Sequence, residues 1–183
     1  MVYRINIAGM ERDLTLCPIS DELNIGAFVL LGDVELTDHV GDALAKLAPE
    51  HDVIITAESK GIPLAHSMCR ALGEKRCVIA RKSVKLYMSD VKECTTQSIT
   101  TSNRQTLYID GKDALLMRGK RVLIVDDVIS TGGSLLSIEN LVLQSGGIIV
   151  GKMAVLAEGD ATERKDIIYL QKLPLFDKSG NPI

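Results

Sequence analysis

Aromatic residues are scarce: there is no tryptophan, and two phenylalanines and four tyrosines make up 3% of the 183 residues. A surface that binds single-stranded nucleic acid by stacking successive bases on aromatic platforms is therefore not expected. Cations are not in excess either. Lys and Arg total 21 against 24 Asp and Glu, a formal net charge of −3, so no global basic field exists for wrapping nucleic acid, although a local basic pocket is compatible with the count. Long apolar runs are missing. Stretches such as Val122 to Val125 and Ile148 to Val150 are strand-sized and far short of a membrane span. Residues Met1 to Asp13 lack the basic-then-apolar pattern of a secretory signal. Cys17, Cys69, Cys77 and Cys94 are scattered without a Cys-x-x-Cys pair, which points to neither a zinc site nor a disulfide framework. Reduced thiols in a cytoplasmic protein are the expectation.

What is present suits one globular domain over residues 1–183, with 46% hydrophobic residues and no Pro/Gly/Ser-rich linker. Residues 1–32 carry short alternating runs (Tyr3 to Ile7, Asp13 to Ile19) and an apolar stretch from Ile25 to Leu31, consistent with a small subdomain. Val40, Ala43, Leu44 and Leu47 then read as one face of a helix stopped by Pro49. Beyond it, strands and helices alternate. Asp52 to Ala57 is a β-branched buried strand, and a helix near Pro63 turns Leu64, Met68, Ala71 and Leu72 inward and ends at Gly73. Cys77 to Ala80 and Arg121 to Asp126 are further strands. A helix from about Gly132 to Gln144 and a strand from Ile148 to Leu156 follow. Residues 83–106 are polar and weakly patterned. Buried strands joined by helical crossovers imply an α/β fold, a mainly parallel twisted sheet flanked by helices. Ligands of such sheets sit at the carboxyl ends of the strands.

The most informative stretch is Val122-Leu-Ile-Val-Asp-Asp-Val-Ile-Ser-Thr-Gly-Gly-Ser134. A buried strand ends in two acids, and Ser130, Thr131, Gly132, Gly133 and Ser134 then open a helix. Successive backbone N–H groups, glycines that allow close approach, and hydroxyls at a helix mouth form a phosphate cradle. Asp126 and Asp127 beside it suit sugar hydroxyls or a hydrated cation, so the natural ligand is a ribose 5-phosphate. A plain N-cap would need neither the paired acids nor the Gly-Gly. No Walker-type Gly-x-x-x-x-Gly-Lys-Ser/Thr pattern occurs.

This turn resembles the 5-phosphoribosyl 1-pyrophosphate (PRPP) motif of the type I phosphoribosyltransferases. The resemblance runs over roughly residues 25–160 and implies that family's fold: a core over 36–157, a hood from about 1–35 plus the tail 158–183, and a flexible lid over about 83–107. It implies that Asp126 and Asp127 bind the ribose hydroxyls and that Val128, Ile129 and Ser130 to Ser134 hold the 5-phosphate. Glu58, Ser59, Lys60 and Gly61 fall where the family has its pyrophosphate loop, which often contains a strained or cis non-proline peptide; Glu58-Ser59 or Ser59-Lys60 is the candidate bond. Lys60 stands where adenine enzymes usually carry Arg, keeping the charge without the bidentate fork. The segment Lys75 to Lys85 holds five cations and no acid. Its Arg81, Lys82 and Lys85 resemble the Arg-Lys-x-x-Lys of adenine and xanthine enzymes, where one cation reaches the neighbouring subunit of a homodimer.

By this resemblance a purine nitrogen displaces pyrophosphate at ribose C1, with Asp126, Asp127, Lys60 and Lys82 as the catalytic set. Mg²⁺ is held mainly by PRPP and pyrophosphate oxygens, with no direct protein ligand expected. The lid excludes water, and neither nucleic acid nor membrane is a partner. Phe28, Val29, Leu156 and Glu158 are the expected base contacts. Between Cys94 and Tyr108 there is no acid, so the lid glutamate of adenine enzymes is missing, and Ser102 to Thr106 looks like the lid of the related purine repressor. Ala157-Glu158-Gly159 likewise lacks the lysine that xanthine enzymes aim at an oxo group. An apolar hood without that cation favours adenine, with xanthine or hypoxanthine as the alternative. A non-catalytic PRPP-binding regulator is a further alternative, but no residues are left over for a winged-helix domain. His39, His51 and His66, on or beside helices, are expected at the surface.

Overall fold

The computed structural model describes residues 1–97 and 104–183, and only the backbone at 97, 104 and 105. The chain opens with β1 (Val2–Ile7), β2 (Met10–Pro18) and β3 (Leu23–Ala27). It continues through α1 (Val34–Ala45), β4 (Val53–Ala57), α2 (Gly61–Leu72) and β5 (Val78–Ala80). A hairpin of β6 (Lys92–Gln97) and β7 (Arg104–Ile109) precedes α3 (Gly111–Met117). Then come β8 (Arg121–Ile129), α4 (Gly133–Gln144), β9 (Ile148–Glu158), a 3₁₀ turn (Gly159–Glu163), β10 (Ile168–Leu173) and β11 (Phe176–Asp177).

Among the described residues, the central sheet has five strands in the order β10-β9-β8-β4-β5. Every neighbouring pair is parallel. All five residues of β4 are buried, as a strand covered on both faces requires. Alternation divides the core. Ile55, Val122 and Ile124 point with Val78 toward α3, α4 and the hairpin, packing on Met117, Leu135, Ile138 and Leu107. Ile54, Leu123, Val125, Met153 and Val155 face the other way, onto Leu36, Val40 and Leu44 of α1 and Leu64 and Met68 of α2. The second cluster also takes in Ile5, Ile7, Leu14, Phe28 and Leu30, so the small antiparallel sheet β1-β2-β3-β11 packs on the same side.

Strand order places the site. From β4 the chain crosses through α2 to β5, while from β8 it crosses through α4 to β9 in the opposite direction. The β4/β8 boundary is therefore the topological switch point, where loops leave to opposite faces and open a crevice. The pairing of β4 with β8 ends at Ile55 and Ile124. Beyond it the two strands part.

Local signals set the element ends. The Asp33 carboxylate accepts from the Leu36 amide at 3.0 Å, capping α1, and is itself held by Arg12 Nε at 2.7 Å. Gly73 ends α2 in the left-handed region at φ 74°. Several expectations need correction. Helix α1 stops at Ala45, and Leu47 lies beyond it, half exposed. The inner face of α2 is Leu64, Ala65, Met68 and Cys69, while Ala71 and Leu72 face solvent. Strand β8 runs on to Ile129, so the two acids lie inside it. The His51 side chain is buried, with Nδ1 at 2.6 Å from the Pro49 carbonyl and Nε2 at 2.8 Å from Glu74 Oε1. The weakly patterned stretch contains the β6–β7 hairpin, whose register is Lys92 with Ile109 through Gln97 with Arg104. Residues 98–103 of the expected lid lie outside the described residues. Among the described residues the cysteines are free thiols, and no helix is long and apolar enough to cross a membrane.

Truncating Ile54, which is 0% exposed between β8 and the helices, is expected to cost about 2–5 kcal/mol as Ile54→Ala. Leu47→Ala, at a half-exposed position, should stay within about 0.5 kcal/mol of the parent. Urea midpoints at unchanged slope measure both, and an equal loss would contradict the assigned core.

Candidate active site

The crevice at the switch point is a cavity of about 210 Å³ lined by Ala57, Glu58, Ser59 and Lys60 from the end of β4, Asp126, Asp127 and Val128 from β8, Lys82, and Ser134. The sequence thus converges from four separated stretches on one hollow. Asp126 and Asp127 come from the part of β8 that has left β4 but still pairs with β9. The Asp127 amide donates to Asp126 Oδ1 at 2.9 Å, turning the first carboxylate back over the strand. Asp127 is buried, and its Oδ2 lies 2.9 Å from Lys60 Nζ. Lys60 also donates to the Phe28 carbonyl at 3.3 Å, so its ammonium joins the N-terminal sheet to the acid pair. The Glu58–Ser59 peptide is cis. Gly61 opens α2 under tight constraint: a Cβ there would stand 2.1 Å from Thr56 Oγ1 and 3.2 Å from Asp126 Oδ1. Thr56 is fully buried, and its hydroxyl has no hydrogen-bond partner among the described residues.

Electrostatics follow from this crowding. Burial, and then the neighbouring Asp127 charge, raise the Asp126 carboxyl well above the ordinary carboxylate range, against the opposing pull of Lys60. Glu58 moves the other way. The Lys82 amide, donating to Glu58 Oε2 at 2.8 Å, and the charges of Arg81, Lys85 and Lys82 hold its carboxyl below the usual value. Arg81 Nη2 lies 3.4 Å from Glu58 Oε1, and its backbone exchanges hydrogen bonds of 2.7 and 2.8 Å with Tyr108, binding the cationic segment to β7. Glu158, half-buried at the end of β9, is raised by burial, opposed by Lys60. Two cations, Lys60 and Arg81, are thus already paired with acids of the hollow.

Other expected residues stand apart from the lining. Ile129 is buried, and Lys85 Nζ donates to Ser83 Oγ at 2.6 Å. Residues Ser130 to Gly133 form the turn into α4, with Gly132 at φ 81° as the N-cap and helix amides beginning at Gly133. Phe28 and Leu156, expected as base contacts, are 3% and 0% exposed and packed in the core. Neither is among the residues that line the hollow. Val29 is half exposed. Thr56 escaped notice because a single polar residue closing a β-branched run carries no distinct signal. Among the described residues, no three His, Cys, Asp or Glu side chains cluster to hold a metal ion. The donors that do sit here, Asp126 and Asp127, suit a hydrated or substrate-borne cation rather than a caged one.

Paired acids near the end of β8, a glycine that caps α4 three residues after that strand, and Lys60 from the loop after β4 are thus brought to one crevice. The model of the phosphoribosyl transferase domain matches residues 34–177. The chain belongs to that family. Over 129 residues it is 31% identical to the hypoxanthine/guanine phosphoribosyltransferase of Methanosarcina mazei, covering 70% of this chain and 64% of that protein. It is 38% identical over 117 residues to the adenine phosphoribosyltransferase of Rhodococcus jostii, covering 64% of this chain and 63% of the relative. The matches thus span less than two thirds of these relatives' lengths. The crystal structure of adenine phosphoribosyltransferase from Thermoanaerobacter pseudethanolicus superposes with a TM-score of 0.72 at 25% identity, covering 87% of this chain and 95% of that one. The parallel sheet flanked by helices is the type I phosphoribosyltransferase fold.

Because the folded state holds the Asp126 proton more tightly than the unfolded chain, the contribution of this group to stability is fully present below the ordinary carboxylate range. It is lost as pH rises through the raised value. Asp126→Asn keeps an acceptor for the Asp127 amide and removes the titration. Urea unfolding between about pH 5 and about pH 8 should show the variant gaining on the parent as pH rises. A pH-independent difference would contradict the raised carboxyl.

Proposed function

We propose that the chain transfers the 5-phosphoribosyl group from PRPP to a purine base, releasing pyrophosphate and the nucleoside 5-monophosphate. The observation that carries this reading is the convergence of Asp126, Asp127, Lys60, Lys82 and Ser134 on one hollow at the switch point. In this reading Asp126 and Asp127 accept from the ribose 2- and 3-hydroxyls. The turn Val128 to Ser134 holds the 5-phosphate on backbone amides at the mouth of α4, where the helix dipole favours an anion. Glu58, Ser59, Lys60 and Gly61, with Arg81, Lys82 and Lys85, surround the pyrophosphate. Lys60 and Arg81 exchange their carboxylate partners for phosphate oxygens as the substrate enters, so positive charge develops where the leaving group needs it. Holding ribose and base in line supplies the remainder of the rate enhancement. Mg²⁺ would be held by pyrophosphate and ribose oxygens, with Asp126 and Asp127 the adjacent carboxylates, and would neutralise the departing anion.

Adenine is the proposed base. Relatives are named both for adenine and for hypoxanthine/guanine, so the preference rests on the chain itself. The residue that follows Ala157 is an acid, Glu158, and the cation acting on it, Lys60, is tied to Asp127 and the Phe28 carbonyl. An acceptor there complements the 6-amino group of adenine and opposes a 6-oxo group. With Phe28 and Leu156 in the core, base recognition falls to Glu158, Val29 and backbone groups. A homodimer is part of the same reading: Val84, Leu86 and Tyr87, shortly after Lys82, are exposed apolar side chains that a second copy would cover. Cytoplasmic purine salvage is the setting.

A spectroscopic assay of the pure protein with PRPP, Mg²⁺ and, in turn, adenine, hypoxanthine, xanthine, guanine and orotate tests the reading. Product with adenine is expected. Product with an oxopurine but not adenine would overturn the base assignment, and inertness with every base despite PRPP binding would favour the regulator.

A further inference from the structure

One guanidinium stands at the phosphate turn without belonging to the PRPP motif. After β9 the chain makes the 3₁₀ turn Gly159–Glu163. Ala161 pins this turn in the core at 1% exposure, and the Tyr169 hydroxyl fixes it by donating to the Thr162 carbonyl at 3.0 Å. The next residue, Arg164, is thereby carried over the mouth of α4. Its Nη1 lies 3.3 Å from where a Cβ on Gly132 would stand, and Gly132 is the left-handed N-cap of that helix.

The opposite edge of the guanidinium is clamped. Nε and Nη2 donate to the two oxygens of Asp166 at 3.0 and 2.7 Å. Asp166 in turn lies 2.8 Å from Lys152 Nζ of β9, and Lys152 is ion-paired with Glu139 of α4. The chain of charges thus runs from Glu139 on α4 through Lys152 and Asp166 to Arg164, beside the N-cap of the same helix. It fixes the plane of Arg164 while leaving Nη1 with no hydrogen-bond partner among the described residues. A planar fork with one edge held and the other turned to a helix N-terminus suits a phosphate dianion.

We propose that Arg164 is an additional binding residue for the 5-phosphate, and that Asp166 and Lys152 are its positioning residues. The inference rests on the phosphoribosyl reading above. It adds a side-chain cation, from a segment remote in sequence, to a subsite otherwise built of backbone amides and hydroxyls.

Calorimetric titration with ribose 5-phosphate and, separately, with pyrophosphate plus Mg²⁺ tests it on the full chain. Arg164→Gln should weaken ribose 5-phosphate by about tenfold or more, the scale of a lost charge-assisted hydrogen bond, and leave pyrophosphate affinity unchanged. Arg164→Lys, which keeps the charge and loses the fork, should fall between. Thermal melts and circular dichroism establish that each variant is folded; if Arg164→Gln is not, Arg164→Lys carries the comparison. Unchanged ribose 5-phosphate affinity in the variants, with a parent that binds it, would overturn the role of Arg164 alone. A parent that binds neither ribose 5-phosphate nor PRPP would overturn the phosphoribosyl reading itself.

Discussion

Two carboxylates side by side, both withdrawn from solvent by burial, constrain the whole carboxyl edge of the central sheet. Asp126 and Asp127 cannot both carry full charge cheaply where burial strips their water. The molecule answers with Lys60, whose ammonium meets Asp127 at 2.9 Å, and with a raised carboxyl on Asp126. Lys60 in turn needs a fixed position, and the Phe28 carbonyl supplies one from the chain leaving β3. Phe28 is buried among Ile5, Ile7, Leu30 and Leu36. Packing of the small sheet against α1 is thereby coupled, through one backbone carbonyl, to the charge balance of the hollow.

The same logic extends to the cationic side. Arg81 lies against Glu58, and Lys82 offers its amide to the same carboxylate. The hollow is therefore a set of opposed charges held in position before any ligand arrives. In the proposed reaction an anionic substrate replaces the acids as partner of these cations, and its hydroxyls take up the acceptors left behind. Preorganisation of that kind stabilises a departing anion without reorganising the surroundings during the chemical step. A chain of net charge −3 can bind a polyanion in this way because the relevant field is local.

Much of this was legible in the sequence because parallel strands buried on both faces write themselves as continuous apolar runs. Val53 to Ala57 and Val122 to Val125 are such runs, and the break to Asp126 and Asp127 marks where the sheet opens. Gly73, at a helix end, and the Gly132-Gly133 turn were equally plain. The β6–β7 hairpin was hidden because its Thr and Gln residues alternate polar with polar, its outer side being exposed and part of its inner side hydrogen-bonded, as Thr96 is to Ser137 of α4 at 2.5 Å. Phe28 and Leu156, expected as base contacts, are packed in the core, because an apolar residue near a site reads the same in sequence whether it faces ligand or core. His51 was misjudged because its partner, Glu74, lies beyond a whole helix. Arg164 was illegible: Asp166 is a near neighbour in sequence, but Lys152 and Gly132 meet it only through the β8–α4–β9 crossover and the turn that follows.

The central claim is that the acid pair and the turn after it hold a phosphorylated ribose. A crystal structure of the protein soaked with PRPP and Mg²⁺ tests it most directly. The account predicts the ribose 2- and 3-hydroxyls within hydrogen-bond distance of Asp126 and Asp127, and the 5-phosphate on the amides of residues 130–134. PRPP bound elsewhere, or with its pyrophosphate rather than its 5-phosphate in that turn, would contradict it.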